Sequence, residues 1–143
     1  MLQIFDSTCL LLAKAEQKHY NYTKRLLDRK KLNITPGQMA VLYTLYKGDG
    51  ISITDLSKKC YLDNSTLTGI IDRMEKAGLV FRSGQQADRR SFLICLTAAA
   101  RNLENQVTET MNHICASMLS GCTEAEIAVF RKVLLNIFAR LQE

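Results

Sequence analysis

Ser65-Thr66-Leu67-Thr68-Gly69-Ile70-Ile71-Asp72-Arg73-Met74-Glu75-Lys76-Ala77-Gly78 is the stretch whose reading decides the fold. Asp63 or Asn64 can cap its first amides and Gly78 can end it, so it is expected to be one helix running to Ala77. Leu67, Ile70, Ile71 and Met74 recur at steps of three and four and form a single apolar stripe for the core. The opposite face carries Ser65, Thr68, Gly69, Asp72, Arg73 and Lys76, which are short and polar toward the amino end. Small side chains allow close approach to a groove, and hydroxyls suit base edges and phosphates. Any solvated helix is polar outside, so the flanking segments have to decide between the two readings.

Upstream, Ile53, Leu56 and Cys60 keep helical spacing around a short helix, about Thr54 to Lys59, and Tyr61-Leu62 leave only a tight connection. A short helix, a tight turn and a longer helix are the signature of a helix-turn-helix, here without the usual turn glycine. Downstream, Leu79-Val80-Phe81 and Phe92-Leu93-Ile94-Cys95-Leu96 read as strands, joined by the polar run Arg82 to Arg90. This is a hairpin wing. Arg82, Arg89 and Arg90 are drawn to the negative potential of phosphates or a minor groove, and Asp88 can hold one guanidinium in place. Candidate DNA contacts are therefore Asn64, Ser65, Thr66, Thr68, Gly69, Asp72, Arg73, Arg82, Asp88, Arg89 and Arg90.

The flanks are helical. Phe5, Cys9, Leu12, Glu16, His19, Thr23 and Leu26 alternate four- and three-residue steps in the first helix; Leu103, Val107, Met111, Ile114 and Met118 do so in the penultimate one. Ile127, Phe130, Leu134, Ile137 and Leu141 repeat the pattern in the last. Thr35-Pro36-Gly37-Gln38 opens the helix that carries Val41, Leu42 and Leu45. Thr97 starts the penultimate helix, Gly121 ends it, and Thr123-x-x-Glu126 is a capping box for the last. Terminal stripes longer than one small domain can cover imply a second copy of the chain. The expected fold is mainly α with a small β-hairpin wing: a winged helix-turn-helix over 35–97, with dimerisation helices at 1–31 and 98–143, in one domain spanning 1–143.

The 143 residues are 47% hydrophobic and 23% charged with a single proline, as in a helical globular domain. Net charge is +5 and pI about 9.0, which favours a polyanionic partner such as double-stranded DNA. No apolar run suits a bilayer and no signal-type segment opens the chain, so no membrane association and a cytoplasmic location are expected. Five cysteines at scattered spacings argue for reduced thiols, with neither a disulfide framework nor a zinc ribbon. His19, His113, Cys115 and Cys122 lack ligand spacing, so no metal is expected. Without a phosphate-cradling glycine loop, a nucleophile elbow or an acid–base pair, neither an enzyme nor a cofactor is expected. A winged helix can also serve as an architectural or protein-interaction module without sequence preference, which stands as the alternative.

Residues 35 to 97 resemble the winged helix of the MarR family of bacterial transcriptional regulators. The matching words are Leu56-Ser57, Ser65 to Thr68, Arg73 through Val80, and Asp88-Arg89-Arg90 followed by Leu96-Thr97. The resemblance implies a homodimeric repressor on a pseudo-palindromic operator, with recognition helices in successive major grooves. It also implies that Arg90 reaches a minor groove while Asp88 steadies it. Thr8 to Leu12, Leu26-Leu27-Asp28, Leu32 to Thr35 and Tyr61-Leu62-Asp63 further resemble the organic-hydroperoxide-sensor (OhrR-like) branch. That likeness implies Cys9 as the peroxide-reactive thiol and Cys115 or Cys122 as a resolving partner across the dimer. Ala13, Thr23 and Pro36 stand where that branch has tyrosines beside the thiol. Cys9 shares a stripe with Phe5 and Leu12, so core packing is the other reading of this residue. Many members of the family respond to a small aromatic ligand, for which His19, Tyr22, Met39 and Tyr43 are the candidate lining.

Overall fold

The computed structural model describes residues 2–84 and 92–142, with side chains described from residue 7 onward. Along the chain, α1 (Leu2–Arg29) and α2 (Pro36–Tyr46) lead into β1 (Ile51–Ser52) and α3 (Ile53–Cys60). They are followed by α4 (Asn64–Lys76), β2 (Val80–Ser83), β3 (Leu93–Leu96), α5 (Ala98–Asn102), α6 (Glu104–Met118) and α7 (Glu124–Arg140).

Side-chain caps set the helix starts. Thr35 with Gln38, and Thr123 with Glu126, form reciprocal capping boxes, while Pro36 holds the first position of α2. Asp63 caps α4 and Thr97 caps α5. Ser52 caps α3 by accepting from the Asp55 amide at 3.1 Å, so the helix starts at Ile53, one residue before the expected Thr54. The penultimate helix is not continuous from Thr97: it breaks at Leu103 into α5 and α6.

The wing base has three antiparallel strands in the order β1-β3-β2, one more than the expected hairpin. Val80 pairs with Leu96, Phe81 with Cys95 and Arg82 with Ile94, while Ile51 pairs with Ile94 from the other side. Asp49 secures this edge: its Oδ2 accepts from the Leu96 amide at 2.8 Å and from Arg101 at 2.9 Å.

One core joins the winged helix to the end of α1 and to α6. Leu27, Leu42, Leu45, Leu56, Leu67, Ile71, Met74, Ile94 and Ile114 are buried to 1% exposure or less. Each such side chain contributes about 1.5–3 kcal/mol by leaving water. The predicted inner stripe of α4 is fully realised in Leu67, Ile70, Ile71 and Met74. The terminal helices behave differently. Residues 7–21 of α1 are exposed throughout, and α7 contains no buried residue.

Candidate nucleic-acid interface

The turn before α4 explains the absent glycine. Tyr61 itself adopts the left-handed conformation, with φ of 55°, while the Leu62 amide donates to Ser57 O at 3.0 Å to close the end of α3. Two residues later Asp63 caps α4: Oδ1 accepts from the Thr66 amide at 2.6 Å and Oδ2 from the Thr66 hydroxyl at 2.8 Å. The amide bond, and then the hydroxyl bond, hold the Asp63 carboxyl below the usual carboxylate range.

Along the outer face of α4, Asn64, Ser65, Thr66, Asp72 and Arg73 are exposed, and Thr68 and Gly69 are half-buried. Thr66 and Thr68 both donate their hydroxyl hydrogens inward, to Asp63 and to Asn64 O at 2.7 Å. Each oxygen thus keeps acceptor capacity on the outside. At Gly69 an added Cβ would lie 3.7 Å from a terminal nitrogen of Arg73, so the guanidinium folds back over the space this glycine leaves. Beneath α4, the first turn of α2 presses close: a Cβ on Gly37 would meet Ile70 Cδ1 at 3.4 Å.

Arg82 occupies the first wing strand and reaches back to α4, donating to Asp72 at 2.6 Å and to Glu75 at 2.8 Å. Two carboxylates thereby surround one guanidinium. This brings together two sequence candidates, Asp72 and Arg82, and adds Glu75, which sequence reading missed because strand and helix register had to be known first. Asp88, Arg89 and Arg90 lie outside the described residues.

Away from this face, α1, α6 and α7 line an open cavity of about 920 Å³. His19 and Tyr22 line it, together with Lys18, Arg25, Cys122 and Glu126 and apolar walls from Ile114, Met118, Ile127 and Phe130. The Tyr22 hydroxyl lies 3.2 Å from His113 Nε2. The other two predicted lining residues do not reach the cavity. Met39 is 3% exposed in the core, and the Tyr43 ring sits under Lys47 Nζ at 4.5 Å.

Cys9, Cys115 and Cys122 are all exposed thiols, so Cys9 is not part of this chain's own core. Cys60 is half-buried and donates to Thr44 Oγ1 at 3.5 Å; burial pushes its thiol pKa up. Among the described residues no group of three His, Cys, Asp or Glu side chains could hold a metal ion, and no helix is long and apolar enough to cross a membrane.

The MarR family model matches residues 34–92. The organic hydroperoxide resistance transcriptional regulator of Bacillus subtilis is 32% identical over 108 residues, covering 76% of this chain and 72% of that protein. Among solved structures, BpsR of Bordetella bronchiseptica, whose DNA binding is regulated by 6-hydroxynicotinic acid, superposes with a TM-score of 0.79 at 27% identity. It covers 92% of this chain and 98% of BpsR. A mutant MarR from E. coli complexed with operator DNA shares the fold, with a TM-score of 0.78 at 22% identity over 96% of this chain and 97% of that one. With a winged helix that matches the family model and a named regulator similar along most of both chains, this protein belongs to the MarR family and is a DNA-binding transcriptional regulator.

Proposed function

We propose that the protein is a cytoplasmic, non-enzymatic repressor that binds a pseudo-palindromic operator as a homodimer and is released by a small aromatic acid. The observation that carries the dimer is the uncovered apolar surface of the terminal helices. Leu10, Leu11 and Val129 are at least 60% exposed, and Val133 is 47% exposed. Apolar surface of that extent is what a second copy covers. Two-fold symmetry then sets two α4 helices about 34 Å apart, one turn of duplex. Asn64, Ser65, Thr66, Thr68, Gly69 and Arg73 would face the major groove. Arg89 and Arg90 would reach the flanking minor groove, with Asp88 steadying Arg90.

The cavity supports an aromatic acid as the signal. Lys18 and Arg25 offer cations to a carboxylate, Ile114, Ile127 and Phe130 offer flat apolar walls, and His19 and Tyr22 offer polar handles. The response of BpsR to 6-hydroxynicotinic acid agrees with this chemistry. A second reading is favoured by the exposure of Cys9 and by the hydroperoxide-resistance relative. In it a hydroperoxide oxidises Cys9 to the sulfenic acid, and Cys115 or Cys122 of the other copy condenses with it, forming a disulfide and releasing water.

Titrating the operator complex separately with 6-hydroxynicotinate and with cumene hydroperoxide tests both. Release by the aromatic acid, weakened in Arg25→Ala, is the expected result. Release by the hydroperoxide alone, abolished in Cys9→Ser, would move the signal to the thiol. A complex indifferent to both would contradict the proposal.

A further inference from the structure

The last helix touches the DNA-reading motif through one aromatic pair. The rings of Phe138, near the end of α7, and Tyr61, in the turn of the helix-turn-helix, stack with centroids 4.9 Å apart and planes 18° from parallel. Neither ring belongs to the core: Tyr61 is 52% exposed and Phe138 47%. What singles the contact out is the residue it rests on. Tyr61 holds a left-handed backbone conformation, which for a side chain with a Cβ is unfavourable and needs support from its surroundings. The only residue between it and the α4 cap, Asp63, is Leu62, and the Asp63 carboxylate fixes the first turn through Thr66.

We infer that Phe138 is a positioning residue for operator binding, acting through Tyr61 on the first turn of α4. This rests on α4 being the helix that reads the operator. The stack fixes the Tyr61 backbone, the backbone fixes Asp63, and Asp63 sets where Asn64, Ser65 and Thr66 present themselves. Because the first half of α7 lines the cavity through Glu126, Ile127 and Phe130, the same helix joins that cavity to the reading turn.

The test is operator titration of the dimeric protein with Phe138→Ala, Phe138→Tyr, Tyr61→Asn and the double variant Phe138→Ala/Tyr61→Asn. Amide hydrogen exchange of each DNA-free protein accompanies it. Asparagine is chosen because it tolerates the left-handed conformation while removing the ring. Phe138→Ala and Tyr61→Asn are each expected to weaken binding about 3- to 10-fold, the scale of one aromatic pair. Phe138→Tyr should restore it, and the double variant should be no weaker than either single. Exchange should quicken at the Thr66 and Leu67 amides and remain unchanged in the last turn of α4. Sedimentation monitors the dimer; if Phe138→Ala dissociates it, Tyr61→Asn and its exchange pattern decide the matter. Wild-type affinity in either ring-deleted dimer, losses that multiply in the double variant, or unaltered exchange at Thr66 would overturn the inference. Failure of the wild-type protein to bind any operator would count against the reading of α4 instead.

Discussion

Arg82 and Asp72 meet at 2.6 Å, tying β2 to the outer face of α4. Glu75 takes the second arm of the same guanidinium at 2.8 Å, so the wing cannot tilt without breaking a two-armed ion pair. A guanidinium already held by two carboxylates is a brace and has little charge left to offer phosphate.

That assignment separates Arg82 from Arg89 and Arg90. Asp72 is half exposed, so Arg82→Ala should cost no more than about 1 kcal/mol of folding stability. It should lower operator affinity while leaving the salt dependence unchanged. Arg90→Ala should instead reduce the slope of log K against log salt by about 1. Equal flattening by both variants would show that Arg82 contacts phosphate.

Asp63 gives α4 a signature in acid. Its folded pKa lies below the ordinary value, so its stabilising effect is complete above about pH 4 and disappears as pH falls through the depressed value. Thermal melts of wild type and Asp63→Ala should differ by a constant amount from pH 7 down to about 5, then converge on further acidification. Asp63→Ser, which keeps an acceptor at the cap, should remain close to wild type. A difference between wild type and alanine that persists undiminished at pH 2 would remove the carboxylate from the cap.

Tyr46 supplies the opposite sign. Its hydroxyl donates to Ala100 O at 2.6 Å, linking α2 to α5, and burial, followed by the charge of Glu104, pushes its pKa up to about 12. The protonated phenol makes this bond. Its contribution is present below pH 10, where the unfolded tyrosine titrates, and is lost between pH 10 and about 12. Tyr46→Phe should cost about 1 kcal/mol at neutral pH. Unfolding curves should show that difference shrinking above pH 10; one that stays flat to pH 12 would refute the assignment.

Val133 tests the dimer surface. It is 47% exposed on a helix with no buried residue, so Val133→Glu should leave the fold intact in circular dichroism while shifting the sedimenting species to monomer. Operator affinity should fall at least 100-fold, on the order of what losing the second half-site implies. A Val133→Glu protein that remains dimeric would relocate the interface.

How far the sequence could be read follows from how local each determinant is. The α4 stripe, its cap at Asp63 or Asn64, the helix start at Thr35-Pro36 and the capping box at Thr123 depend on spacing within one turn, and all were legible. Gly78 was too: its φ of 75° is the left-handed stop that ends a helix. Tyr61 was not, because an aromatic residue in that conformation gives no local signal and is supported by a ring 77 positions away. The strand Ile51–Ser52 exists only by pairing with β3, and two residues carry no alternation to detect. The break at Leu103 likewise has no glycine or proline to announce it. At the candidate sites, His19 and Tyr22 stand three residues apart on one helix face, and both line the cavity. Met39 and Tyr43 do not line it, and the rotation of α2 against α1 that decides this is a tertiary fact. For the same reason Glu75 escaped notice as a partner of Arg82, although the two stand only seven residues apart.

The most direct test of the central claim is selection of genomic fragments by the reduced protein, followed by footprinting of the enriched fragment with wild type and with Ser65→Ala. The expected result is one enriched sequence with two-fold symmetric protection over two half-sites one helical turn apart, and an altered base preference at matching positions of both half-sites in the Ser65 variant. Fragments retained without a common sequence, or a protected site lacking two-fold symmetry, would contradict it.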